Sequence, residues 1–293
     1  MHRLLIIGFG DIGKRFAARY ASRFNLSVVS RTKTAESPAL TRSINWLNAD
    51  LDEPRTLQKL AGLSEAVIYL APPNPSGHTD IRLRNFLRSI ASSIRIPQRL
   101  VYMSTTGVYG DCSGEYVGET RATSPQTDRA RRRLDAETQV RAWSQRTGCA
   151  SMILRVPGIY ASDRLPLSRL KKGLPTLMPD DDSFSNHIHA DDLAQIVFLA
   201  LFRGKSGRIY NCIDDSRIKT GDYFDLVADR SRLPKPRRIS RSEAEAVLPE
   251  MLWSFLKESR VVLNDRMKKE LKVRLQHSTV RNGVPLKISV SDD

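Results

Sequence analysis

Gly8-Phe9-Gly10-Asp11-Ile12-Gly13 follows directly on the apolar run Leu4–Ile7 and leads into a helical pattern that begins with Ile12 and Phe16. A buried-type strand, a tight glycine turn and a helix, in that order, form a dinucleotide-binding fingerprint. Such a turn needs glycine three times over. One glycine permits the sharp bend, one lets backbone reach a pyrophosphate, and one lets the helix pack closely on the strand. The helix N-terminus then offers unpaired N–H groups and a partial positive charge to the phosphates. Glycines alone also mark ordinary turns; the weight here comes from their place directly behind a strand. Gly8, Gly10, Asp11, Ile12 and Gly13 are therefore the first expected cofactor contacts.

The same grammar repeats along the chain. Leu26–Ser30, Ile44–Leu47, Ala66–Leu70, Leu100–Ser104 and Met152–Arg155 read as further buried strands, with helical stretches Ile12–Phe24, Pro54–Leu60, Ile81–Ser93 and Asp128–Arg146 between them. This alternation predicts an α/β fold, a Rossmann-type doubly wound parallel sheet with helices on both faces. Right-handed crossovers bring every strand's C-terminal end to one edge, where ligands bind. After about Arg155 the alternation stops. Pro157, Pro166, Pro175 and Pro179 punctuate a loop-rich stretch suited to shaping a pocket, Asp191–Phe202 reads as an apolar helix, and Arg208–Ile213 as a late strand that rejoins the sheet. From Thr220 onward, short helices alternate with Pro234, Pro236, Pro249 and Lys/Arg clusters. The expected division is a dinucleotide-binding domain over 1–160, completed by about 188–214, with 161–187 and 215–293 as a small, partly helical C-terminal substrate lobe.

An apolar fraction of 40% over 293 residues suffices for a real core. No run approaches the roughly 20 apolar residues of a membrane helix, and Leu4–Ile7 is too short for a signal peptide's apolar region. Cys112, Cys149 and Cys212 are odd in number and lack metal-type spacing. They read as reduced thiols in a cytoplasmic protein, with no metal site expected. The net charge of +15 would suit a polyanion. However, the basic residues are scattered and no nucleic-acid motif accompanies them. The expected partner is thus a small molecule, not nucleic acid or a membrane, with the basic surface attracting an anionic cofactor or substrate.

At the predicted sheet edge, strand two ends in Ser30-Arg31-Thr32, with Lys33 nearby and no carboxylate before Glu36. An acidic residue there would accept from a free ribose 2′-hydroxyl and repel a 2′-phosphate, whereas guanidinium suits the phosphate. Arg31 therefore favours NADP(H), with NAD(H) possible; the other reading is a solvated arginine at a strand end. Asp50 after the third strand, and Ala71 and Pro72 after the fourth, lie where adenine and the central phosphates would rest. Asp50 reads equally as a cap for the helix near Pro54.

Ser104-Thr105-Thr106-Gly107-Val108-Tyr109-Gly110 closes the fifth strand at the same edge. Here the chain resembles the extended short-chain dehydrogenase/reductases, a superfamily that includes NAD-dependent epimerases and dehydratases. The likeness continues through Leu154-Arg155-Val156-Pro157-Gly158-Ile159-Tyr160, His187-Ile188-His189-Ala190-Asp191-Asp192-Leu193-Ala194 and Tyr210-Asn211-Cys212. The compact glycine turn is similar to the atypical branch, close to the bacterial YeeZ-like oxidoreductases. The resemblance implies a catalytic role for Thr105, which would hydrogen-bond a substrate carbonyl or hydroxyl, and places Pro157 among the cofactor contacts. It also implies a Tyr-x-x-x-Lys pair on the next helix. Aligning Leu134-Asp135-Ala136-Glu137 with the family's continuation puts Arg129 at the Tyr position and Arg133 at the Lys position.

Arginine does not release its proton at working pH, so Arg129 cannot cycle one. It can stabilise a developing alkoxide or grip a carboxylate or phosphate. Arg133 can donate to ribose hydroxyls, and the i, i+4 spacing keeps the two on one helix face. The competing reading makes Arg129, Arg131, Arg132 and Arg133 a solvated basic face. Tyr109, Tyr160 and His187, along with bound water, are the candidate proton donors by position, although Tyr109 reads rather as a structural part of the Val-Tyr-Gly turn; these three with Asn186 are the expected substrate contacts. His189 reads as the anchor of the helix that starts near Asp191. Three functions remain open: an NADP(H)-dependent oxidoreductase acting on a small organic substrate, a non-catalytic NAD(P)H-binding sensor or regulator, and an epimerase or dehydratase. The oligomeric state is equally open, a homodimer through the helix bearing Arg129–Arg146 being one option.

Overall fold

A computed structural model describes residues 2–31 and 44–288; Thr32, Lys33 and Glu36, weighed above beside Arg31, lie outside the described residues. Seven strands are β1 (His2–Ile7), β2 (Phe24–Ser30), β3 (Ile44–Asn48), β4 (Ala66–Tyr69), β5 (Arg99–Thr105), β6 (Ala150–Val156) and β7 (Ile209–Asn211). Among the described residues they form one sheet in the order β7-β6-β5-β4-β1-β2-β3, every pair parallel. The chain winds outward from β1 in one direction, then returns to β4 and winds in the other. The switch lies between β1 and β4, where Ile7 stands level with both Val29 and Tyr69. A crevice opens at such a reversal because the crossovers on its two sides diverge.

Alternation within β1 builds both cores, since successive side chains leave a strand on opposite faces. Leu4 and Ile6 pack with α1 (Asp11–Tyr20) and the apolar helix α5 (Ala190–Arg203), through Phe16, Leu193, Ile196 and Val197. Leu5 and Ile7 pack on the other face with α2 (Pro54–Leu57), α3 (Ile81–Ala91) and α4 (Asp128–Thr147), through Leu57, Phe86 and Trp143. One boundary differs from the sequence reading. The helical period expected through Phe24 stops at Tyr20, a short 3-10 turn spans Ala21–Arg23, and Phe24 already pairs with His2. The turn keeps Phe24 within 6.0 Å of Phe16, so the apolar spacing survives although the backbone has changed state.

Beneath the ends of β5 and β6 lies a buried polar network. Glu137 of α4, fully buried, accepts from Ser104 Oγ at 2.7 Å and from Arg155 Nε and Nη2 at 3.0 and 2.7 Å. The Arg155 guanidinium in turn lies 4.6 Å over the Tyr109 ring. The pair locks α4 to both strands. The C-terminal segment is tied over the loop after β5 by a parallel ribbon, Val261–Val262 against Tyr116–Val117. An antiparallel ribbon joins Phe184–Ser185 to Ile218–Lys219, which leads into the helix Thr220–Ser231. The three cysteines are buried and free, and burial pushes the Cys149 thiol up to about 12.

Removing one partner of a buried ion pair leaves the other charge uncompensated, at a cost of about 3–5 kcal/mol. Glu137→Ala should lower unfolding stability by that amount in urea denaturation. A loss below about 1 kcal/mol would contradict this assignment.

Candidate functional site

Two clefts lie side by side on the carboxyl edge of the sheet. The first, about 240 Å³, is bounded by the ends of β1, β2, β3 and β4. Its floor is the glycine turn, and each glycine is required differently. Gly8 has φ +89°, and a Cβ there would stand 2.6 Å from the Ala71 backbone nitrogen. A Cβ at Gly10 would meet nothing within 4 Å, so this backbone faces open space. A Cβ at Gly13 would lie 3.2 Å from the Gly8 carbonyl oxygen, which lets α1 sit close against β1. Among the described residues no side chain caps α1, so its first N–H groups remain available to an anion. These features fit a dinucleotide diphosphate.

The other expected contacts divide. Arg31 stands exposed on this cleft, with Ala71 and Pro72 across from it. Asp50 lines the cleft as well; its Oδ1 accepts from the Asp52 N–H at 3.0 Å, so it shapes its own turn, while Glu53 holds the N-cap position of α2. Asp11 does not face the cleft's ligand space. Its two oxygens accept from Arg15 Nε at 2.8 Å and Arg164 Nη1 at 2.7 Å, and Arg15 also pairs with Asp163 and Asp191. Ile12 is buried in the core. Arg82 was not foreseen: it lines the cleft and pairs with Asp52 at 2.6 Å. Its place in the first turn of the helix after β4, at the sheet's ligand edge, was the available signal.

The second cleft, about 500 Å³, opens at the ends of β5 and β6, beneath the C-terminal lobe. Thr105 stands level with Val156, which puts it beside Pro157. Its Oγ1 accepts from the Gly107 N–H at 3.2 Å, leaving the hydroxyl proton free to be donated outward. Arg129, in the first turn of α4, lines the same cleft with its guanidinium 4.3 Å over the Phe255 ring. Ser185, Asn186 and His187 form the opposite wall. Ser185 Oγ and His187 Nε2 are 2.7 Å apart, and the imidazole lies against Tyr223. Burial pushes the His187 pKa down to about 4, so the ring is neutral at ordinary pH. Asn186 spends its amide on the lobe: Nδ2 donates to the Arg260 carbonyl and Oδ1 accepts from the Val262 N–H.

The run of arginines on α4 is not one solvated face. Arg131 pairs with Asp128 at the surface, and Arg132 is buried and donates to the Gly77 carbonyl at 2.6 Å. Arg133 lines neither cleft. Its Nη1 donates to the Met103 carbonyl at 2.8 Å and the Tyr102 hydroxyl at 3.1 Å, joining α4 to β5. Although burial opposes its charge, Tyr102 and Asp80 hold the Arg133 pKa above the ordinary arginine value. In this structure Arg133 braces α4 against β5 and also donates to the Ala71 carbonyl at 3.4 Å, at the edge of the first cleft. Tyr109 and Tyr160, expected as substrate contacts, line neither cleft. Tyr109 is buried and donates to Asn211 Oδ1 at 2.7 Å, and Tyr160 is buried and donates to the Thr279 carbonyl at 3.2 Å, so neither reaches the cleft. Their aromatic bulk was needed by the core beneath the edge.

His189 Nδ1 accepts from the Asp191 N–H and caps α5. His189, Asp192 and His277 gather within metal-ligand reach. Yet Asp192 already accepts from the Gln276 and His277 N–H groups, and the two imidazoles stack at 3.6 Å. Sequence reasoning missed the lobe's share of the second cleft: Arg169, Tyr223, Phe224, Phe255, Glu258 and Arg260. These residues lie in segments without a motif, and only folding brings them opposite Thr105.

The model of the NAD dependent epimerase/dehydratase family matches residues 4–212. Among solved structures, the chain is similar to a conserved protein of unknown function from Silicibacter pomeroyi, at 28% identity and TM-score 0.80, covering 97% of this chain and 96% of that one. It is also similar to UDP-glucose 4-epimerase of Thermotoga maritima, solved with UDP-glucose, at 15% identity and TM-score 0.78, covering 98% and 97%. A third is a double mutant of dTDP-glucose 4,6-dehydratase from Streptomyces venezuelae, solved with NAD, at 18% identity and TM-score 0.75, covering 96% and 94%. No curated protein matches the chain.

The depressed His187 pKa carries a stability consequence of definite sign. Between pH 6.5 and about 4 the unfolded chain binds a proton that the native imidazole refuses, so stability is lost as pH falls through that window. The full effect is about 3 kcal/mol. In urea denaturation, wild type should lose about 2–3 kcal/mol more than His187→Gln between pH 7 and pH 4. An equal loss in both would show that this imidazole is not held neutral.

Proposed function

Because the chain belongs to the NAD dependent epimerase/dehydratase family, we propose that it is an NAD(P)-dependent oxidoreductase of the extended short-chain type, acting on a small organic substrate in the cleft beside Thr105. The carrying observation is the glycine turn, closed at Gly8, open at Gly10 and tightly packed at Gly13, at the crevice between β1 and β4. In this reading the first cleft holds the adenosine half and the N-terminus of α1 the diphosphate. When bound, the nicotinamide supplies hydride transfer.

The chain's own residues do the rest. The Thr105 hydroxyl donates to the substrate oxygen, and the fixed charge of Arg129 stabilises the negative charge that develops there. Neutral His187 orients the Ser185 hydroxyl through the 2.7 Å contact, giving the cleft a second hydroxyl through which a proton can pass. Arg31 at the mouth of the first cleft favours a 2′-phosphate, and hence NADP(H). A second reading, a nucleotide-binding sensor without turnover, is favoured by one feature: among the described residues of the second cleft no tyrosine–lysine pair is present, and Arg129 cannot cycle a proton.

Calorimetry with NADP(H) and NAD(H) tests the shared premise. Wild type should bind, and Gly8→Ala should abolish binding, since its Cβ would strike the Ala71 backbone in a left-handed conformation. Loss of reduced-nicotinamide absorbance across a carbonyl panel separates turnover from sensing. Thr105→Val should then lower kcat by about 10²-fold. Arg31→Asp should move the preference toward NAD(H); an unchanged ratio would exclude Arg31 as the 2′-phosphate partner.

A further inference from the structure

We propose that Arg129 and Arg169 form a binding site for an acid group, and that the substrate carries a carboxylate or phosphate. This deepens the oxidoreductase reading and rests on it for the word substrate; the anion site itself does not depend on a bound dinucleotide. Three guanidinium groups and a single carboxylate line the second cleft. Glu258 is taken by Arg260, whose Nη1 donates to it at 2.7 Å and to the Gly110 carbonyl at 2.6 Å. The cleft is therefore left with two positive charges.

Neither of those two has a carboxylate within ion-pair distance among the described residues. Arg169 donates to the Pro175 carbonyl at 2.9 Å and lies 4.4 Å over the Phe224 ring. Arg129, exposed to the cleft, lies 4.3 Å over Phe255. Elsewhere Arg155 is paired with Glu137, while Arg132 and Arg133 donate to carbonyl oxygens. Desolvation pulls both Arg129 and Arg169 below the ordinary arginine pKa; in the case of Arg129, the charges of Arg132 and Arg133 add to the effect and Glu258 offsets it only in part. A position over a phenylalanine ring restrains each guanidinium, and N–H groups beyond the one Arg169 gives to Pro175 match the oxygens of a carboxylate or phosphate. Ser185 and Thr220 also line the cleft.

Size narrows the ligand. A cleft of about 500 Å³ lies low in the range that holds one drug-sized molecule. It must also admit the reactive ring beside Thr105, and the remaining space suits a compact acid. Phe184, Tyr223, Phe224 and Phe255 supply an apolar surround that suits a short carbon skeleton.

The test uses the full-length protein without dinucleotide, with sodium oxalate and inorganic phosphate as probes, titrated calorimetrically against chloride at constant ionic strength. At least one probe should bind saturably, the stronger one telling carboxylate from phosphate. Arg129→Gln and Arg169→Gln should each weaken it about tenfold or more. Arg129→Lys and Arg169→Lys, which keep charge and stem and so preserve the fold, should still weaken it severalfold because the fork is lost. Dinucleotide affinity of the Arg169 variants should stay within about twofold of wild type. No saturable binding of either probe, or equal affinity in all variants, would overturn the site. A loss of dinucleotide affinity in the Arg169 variants would overturn it too, by giving that arginine to the cofactor. Failure of the oxidoreductase reading would show separately, as absent dinucleotide binding with the anion response intact.

Discussion

At Gly8 the backbone leaving β1 passes so close to Ala71, after β4, that no side chain fits between them, and the chain must adopt a left-handed conformation to do it. Both conditions select glycine at one position. The contact sits where the winding of the sheet reverses, so it fixes how the first crevice begins. Gly10 can then remain bare toward that crevice, and Gly13 lets α1 descend onto the strand with its amide N–H groups pointing to the opening. Bulk at Gly8 or Gly13 would act on the rest, because turn, crevice and helix start span only six residues.

The second cleft has a floor and a roof of different character. The floor is rigid: Glu137 binds Ser104 and Arg155 together, Arg133 ties α4 to β5, and Tyr109 reaches through to Asn211 of β7. Thr105 stands on this braced edge, which suits a group that must meet a reacting atom in fixed geometry. The roof consists of short segments held by small ribbons and by Asn186, whose amide fastens residues Arg260 and Val262. It presents Phe255, Glu258 and Arg260 across from the floor. A rigid sheet edge thus faces a lobe of loosely connected segments across the cleft.

Charge follows a similar partition. A net +15 spread over the chain says little by itself. Within α4, four arginines in five positions meet four different environments: a ligand cleft for Arg129, an exposed ion pair for Arg131, a buried carbonyl for Arg132, and the sheet edge for Arg133. A helix advances about 100° per residue, so adjacent arginines must diverge. Arg129 and Arg133 share a face, but one turn of rise separates a residue at the rim from one sunk beside β5.

The sequence by itself determined the sheet. Short β-branched runs alternating with amphipathic helices, and glycines placed behind the first strand, are local patterns, and local patterns survive into the fold because propensity and burial agree there. It also located the ligand edge and brought Thr105, Arg129, Asn186 and His187 to one cleft. Tertiary structure alone decided which side chains face that cleft. Tyr109 and Tyr160 carried the right chemistry, but the space beneath the edge needed apolar volume and took both rings inside. Arg169, Phe255 and Glu258 carried no motif and arrived through long-range packing of the lobe over β5 and β6. Orientation of a side chain depends on what fills the space around it, and that is a property of the whole packed chain, not of any neighbouring residues in sequence.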